Sequence, residues 1–174
     1  MALPKLQTTE HKLTVPSTQE EIKFRPFLVK EQKILMIAQE SGDEKQIADA
    51  MEKLVSNCTF GAINASTAPM FDVEYVFLQL RSKSVGSKIT LNITCPDDNE
   101  TKVEVEIDVD DIGVQMTLEH SLDIEITDSI SVTLRYPRLK DLHGVPDELS
   151  DFEKTLLLLI ECIESVTSGE EVIN

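Results

Sequence analysis

The residues nearest to a ligand-binding pattern are Asp108-x-Asp110-x-Ile112-Gly113, with Glu119 at the twelfth position. Calcium loops place oxygen ligands at alternate positions, a glycine at the sixth for the sharp turn and a bidentate carboxylate at the twelfth. Here the fifth position is Ile112, an aliphatic side chain where an oxygen is required, so the segment reads as a solvated turn. Cys95 opens Cys95-Pro96-Asp97-Asp98, half of a zinc knuckle, but no second cysteine lies two to four residues away. His11, His120 and His143 sit at polar loops or element edges, where exposed histidine is the simplest reading. The sequence has no phosphate-cradling glycine loop, nucleophile elbow or HExxH. A hydrolase built on Asp108 and Asp110 would need a paired carboxylate or an activating histidine, and neither is recognisable. The expectation is a non-enzyme with no metal and no cofactor.

Two basic clusters stand out instead: Lys23-Phe24-Arg25-Pro26-Phe27-Leu28-Val29-Lys30 and Arg81-Ser82-Lys83-Ser84-Val85-Gly86-Ser87-Lys88. Snorkelled strand-edge charges would explain the first, and compensation of a helix C-terminal dipole the second. The functional alternative is an anchor for a protein partner, because arginine and aromatic residues dominate interface hot spots. That reading assigns Arg25, Pro26, Phe27, Lys30, Arg81 and Lys83 to partner binding, with Arg25 and Arg81 facing solvent. Phe27 could equally pack on Leu35 and belong to the core.

The formal net charge of −16 is unevenly placed. Residues 1–90 hold eleven Lys/Arg and eleven Asp/Glu, whereas residues 91–174 hold five and twenty-one. A polyanionic surface repels phosphate backbones and anionic membranes, so neither nucleic acid nor membrane is an expected partner, and nothing implies a small-molecule substrate. The acidic half reads as a solvated face or as a docking surface for a basic protein. Cys58, Cys95 and Cys162 each continue an apolar pattern and read as reduced, buried hydrophobes, consistent with a cytoplasmic origin. The amino end carries no apolar targeting segment, and the longest apolar run, Leu156 to Ile160, is too short to span a bilayer.

The periodicity predicts an α+β fold: an N-terminal hairpin and helices, a small antiparallel sheet and a closing C-terminal helix. Leu13 and Val15, then Ile22 and Phe24, alternate around a turn at residues 16–19, and Pro26 ends the second strand. A helix from Val29 to Glu40 is expected to turn Ile34, Leu35, Ile37 and Ala38 inward, and Ser41-Gly42 stops it. Asp43 caps a second helix whose stripe is Ile47, Ala50, Met51, Leu54, Val55 and Cys58. After a loop over residues 59–70, Phe71 to Ser82 form a third helix, apolar round most of its circumference and therefore central. Period-two alternation marks strands around Ile89–Cys95, Val103–Ile107, Leu122–Ile126 and Ile130–Tyr136. Ser150-Asp151-Phe152-Glu153 is a capping box for the closing helix, expected to run through Val166 to Ser168-Gly169. No internal repeat or linker is visible. The chain reads as one domain over residues 1–174, with a mostly helical, neutral lobe at 1–87 and an acidic sheet-plus-helix lobe at 88–174.

The stretches MALPKL, IKFRPFLVKEQKILMIAQES, FDVEYVFLQLRSKSVGSKI, the CPDD turn and RYP resemble the baseplate hub protein family of T-even-type contractile-tailed bacteriophages. The likeness runs from Met1 to about Pro137, with FRPFLVKE and EYVFLQLRSKSVG its most specific parts. It implies a hub component or hub-assembly chaperone without enzymatic activity. The implied partners are other baseplate, hub and tail proteins, in the virion tail or in the host cytoplasm during assembly. Family members continue past the Tyr-Pro motif with a further helical segment, so this chain reads as a short or truncated version.

Overall fold

The computed structural model describes residues 9–117, 120–146, 148–169 and 171–173. The α+β class holds, with four α-helices and eight strands among them. Strands β1 (His11–Thr14) and β2 (Glu21–Phe24) form the expected hairpin, with Leu13 opposite Ile22 and His11 opposite Phe24. Its turn is fastened to the rest of the chain by Asp72, a buried carboxylate that accepts from the amide and hydroxyl of Ser17.

Helix α1 (Val29–Ser41) ends at Gly42, whose φ of 66° is a left-handed cap that a side chain would strain. Its inward stripe is narrower than periodicity implied. Glu31, Leu35 and Ala38 face in, whereas Ile34 and Ile37 are 44% and 56% exposed. Each of those isoleucines is one residue off the stripe, a rotation of about 100° at 3.6 residues per turn. Helix α2 (Glu44–Cys58) follows its predicted pattern: Asp43 accepts from the amides of Lys45 and Gln46 at 2.9 and 3.3 Å, and Leu54, Val55 and Cys58 are buried. Helix α3 (Met70–Val85) is central, as its all-round apolarity demanded. Val73, Val76 and Leu80 are fully buried against Leu13, Phe24, Leu54, Val55 and Cys58.

The strands of the second half make two separate sheets. β3 (Lys88–Thr94) and β4 (Lys102–Asp108) pair only with each other. The second sheet is four-stranded in the order β5 (Asp123–Thr127), β6 (Ile130–Leu134), β7 (Ile163–Ser168) and β8 (Glu171–Ile173). Helix α4 (Asp151–Glu161) starts at the Ser150 capping box but stops at Cys162, short of the expected end near Ser168-Gly169. The segment after Cys162 becomes β7 because it is rich in β-branched residues and finds an open edge on β6, with Val166 opposite Val132. Gly169, at φ 62°, then allows the tight turn into β8.

An internal repeat that composition hides emerges in the hydrogen bonds. After the β1–β2 hairpin, the Arg25 amide donates to the Cys58 carbonyl at the end of α2 (2.9 Å). After the β5–β6 hairpin, the Arg135 amide donates to the Cys162 carbonyl at the end of α4 (2.8 Å). The eight residues FRPFLVKE (24–31) and LRYPRLKD (134–141) share only their Arg and Lys, yet both turn from a strand into a helical start closed by an acid, Glu31 at the head of α1 and Asp141 at the head of a 3-10 turn, Leu139–Gly144. The correction to the sequence reading has a simple cause: proline shifts by one place and the helical segments differ in length, so no fixed period survives.

Candidate partner-binding site

In each copy of the repeat the arginine is used inside the chain. Arg25 grips Glu31 through both terminal nitrogens, at 2.6 and 3.1 Å, and also donates to the Pro26 carbonyl at 3.1 Å. Glu31 in turn accepts the Leu28 amide at 2.6 Å, satisfying a donor at the start of α1. Arg135 grips Asp141 at 2.5 and 3.1 Å and donates to the Tyr136 carbonyl, while Asp141 accepts the Arg138 amide at 2.8 Å. A planar guanidinium fits a carboxylate in two places at once, which fixes the strand-to-helix corner. The Arg25 guanidinium, helped by the Leu28 amide, holds the Glu31 carboxyl below its usual range despite burial. Burial pushes Asp141 upward, but Arg135 and the Arg138 amide outweigh it and the carboxyl sits below its ordinary value.

This geometry corrects the expectation that Arg25 faces solvent. Its side chain is only 15% exposed and that of Glu31 11%. Arg81 is likewise half-buried and folds back onto the Gly86 carbonyl at 2.8 Å. Phe27 takes the alternative considered for it and packs partly buried against the core cluster. Pro26 is half-buried and Lys30 exposed. Lys83 pairs with Asp110 at 2.9 Å, and the same carboxylate accepts from the buried Ser82 hydroxyl at 2.6 Å. Both Asp110 oxygens of the calcium-like segment are therefore engaged, and Ser82 and Lys83 hold its carboxyl below the usual range. Glu119 lies outside the described residues.

The structure does bring the two basic clusters together. The Phe27 amide donates to the Ser84 hydroxyl at 2.9 Å, joining the start of α1 to the last turn of α3. The Asp110 bond then adds the turn after β4 to the same junction. What results is a corner with buried clamps beneath it and the lysine heads of Lys30 and Lys83 at or near its surface. Sequence reasoning found the segments but missed Glu31 and Asp141. The legible signal was an acid six residues after each arginine.

The cysteines are free thiols; Cys58 and Cys162 are buried and Cys95 is half-buried. Burial pushes the Cys58 thiol up to about 11 and raises Cys162 as well, so neither is poised as a nucleophile. His11 lies against Phe24 and His120 stacks on Tyr136, with ring centroids 5.4 and 5.5 Å apart. Among the described residues, no helix is long and apolar enough to cross a membrane.

Compared with known proteins, residues 8–174 match the family model described as T4 bacteriophage base plate protein. No curated protein and no solved structure matches the chain.

Proposed function

We propose a hub role for this chain, which belongs to the T4 bacteriophage base plate protein family: it is a non-enzymatic component of the baseplate hub, working by protein–protein binding. The family match, which takes in both basic segments and the acidic half, supports a baseplate role, and the hub assignment within it rests on the likeness of FRPFLVKE and EYVFLQLRSKSVG to hub proteins. The chain works as one hub-type domain in this reading, and the corner formed by α1 and α3 supplies one contact surface through Lys30 and Lys83. Pro26 and Phe27 support the surface from beneath, and Arg25 and Arg81 hold its backbone. The acidic second half disfavours nucleic acid and membrane as partners and favours tail proteins with basic surfaces.

A second reading follows from the same family membership: a hub-assembly chaperone that acts in the host cytoplasm and is absent from the finished virion. Mass spectrometry of purified virions separates the two. Recovery of the chain at stoichiometric level supports the structural role, whereas its presence in infected-cell extract alone supports the chaperone. The contact surface is tested by Lys30→Glu and Lys83→Glu. Lys30→Glu should leave the melting temperature nearly unchanged, Lys83→Glu should lower it slightly by setting a carboxylate against Asp110, and each should weaken co-assembly with the hub by about tenfold or more, the effect of an interface hot spot. Variants that assemble normally would remove this corner from the interface.

A further inference from the structure

The repeat makes a direct comparison available. In the first copy, Leu13, Phe24, Leu54, Val55 and Cys58 are all buried, at 7% exposure or less, because α3 lies on them with Val73, Val76 and Leu80. Their counterparts follow from the paired strands and from the spacing back from the cysteine: Ile124, Leu134, Leu158, Leu159 and Cys162. These five line one cleft of about 340 Å³ that is almost entirely apolar. Ile124 and Leu159 are 42% and 48% exposed. Among the described residues no helix lies along this cleft as α3 does in the first copy, because the chain leaves α4 directly into β7 and not into a loop and a third helix. The start of α3 meets only its rim, where the Met70 amide donates to the Pro137 carbonyl and Phe71 packs edge-on against Tyr136.

We infer that this cleft receives a helix from a different protein, one that presents Val or Leu at positions i, i+3 and i+7 and carries Lys or Arg at its flanks. In the first copy the same five positions are completed by such a helix. Charge selects the kind of partner. Arg135, the one Lys/Arg side chain lining the cleft among the described residues, is paired with Asp141, while the elements that flank the cleft expose Asp123 and Glu125 on β5 and Asp151, Glu153 and Glu161 on α4. A second copy of a chain with net charge −16 would meet like charge at this face, whereas a basic helix gains attraction and faster encounter. The site is distinct from the Lys30–Lys83 corner and does not depend on the hub assignment.

The test uses a fluorescein-labelled peptide of residues 70–88, the sequence that completes the first copy, extended by three lysines. Fluorescence anisotropy with the full chain should show saturable binding in 0.1 M salt. Binding should weaken about tenfold with Ile124→Glu or Leu159→Glu, and similarly when glutamates replace the added lysines. Both protein substitutions fall on partly exposed side chains, and circular dichroism checks that each variant folds. Hydrogen exchange with wild-type chain and peptide gives a second readout, with new protection expected in β5 and α4. Absence of saturable binding, or binding indifferent to both protein substitutions, would overturn the inference. So would self-association of the chain that these substitutions abolish, since the occupant would then be a second copy.

Discussion

The two copies of the strand–corner–helix unit are built on the same clamp but end in different states. The first is closed: Phe24, Val55 and Cys58 are at 1% exposure or less, and α3 seals them. The second is open: α4 buries none of its own residues, and Phe152, Leu156 and Ile160 are 76%, 46% and 54% exposed. An arginine–carboxylate corner can therefore specify a local shape without supplying a core. What decides closure is whatever the chain does after the cysteine. In the first copy it makes a loop and returns as α3; in the second it extends a sheet.

The largest expected effect breaks the comparison at its shared part. Removing one partner of a desolvated ion pair leaves the other unpaired, which costs about 3–5 kcal/mol. Arg25→Ala should therefore unfold much of the chain, contrary to the small effect a solvent-facing arginine would show. Arg135→Ala removes the same contact beside an open core, so the loss should be confined to α4 and β5 to β8. Thermal melts with hydrogen exchange on both variants would show the asymmetry. Equal global destabilisation would mean that the second copy is as cooperative as the first.

Packing should sharpen the contrast next. Leu80 is fully buried, and truncating such a leucine to alanine costs about 2–5 kcal/mol. Leu159, nearly half exposed, occupies an equivalent of the first copy's core, and Leu159→Ala should cost less than about 1 kcal/mol. Urea unfolding of the two variants gives the ratio directly.

Acidification tests the clamps together. Glu31 and Asp141 both have carboxyls held below their ordinary values in the folded chain. Their contribution is therefore complete above the unfolded carboxylate range and disappears as pH falls through the lower folded values. Glu31→Gln should be clearly less stable than wild type at pH 7, with the gap closing toward pH 3. A gap that stays constant across that range would place the value of Glu31 in its shape and not in its charge.

The smallest effect concerns the thiols. Half-buried Cys95 should react first with a thiol reagent at pH 8, followed by Cys162, with Cys58 last because burial holds it up to about 11. Arg135→Ala, which frees the segment bonded to Glu161 and Cys162, should speed Cys162 alone.

How far the sequence led depended on whether a signal was local. Asp43 capping α2, the Pro26 strand end and the all-round apolarity of α3 are written in a few adjacent residues, and each appears where expected. The end of α4 was misread because Ile163 and Val166 fit a helical stripe as well as a strand; only pairing with β6 decides between them. The contact residues were half legible. Composition marks a cluster of arginines and lysines, but it cannot tell a free guanidinium from one folded onto Glu31 or Gly86.

Native-state hydrogen exchange on the isolated chain tests most directly whether one half is closed and the other open. Amides in α2 and α3 should exchange only through global unfolding, while those of α4 and of β5 to β8 should exchange through a separate opening of lower free energy. Uniform protection across both copies would contradict the account, because it would mean that the second core is sealed without a partner.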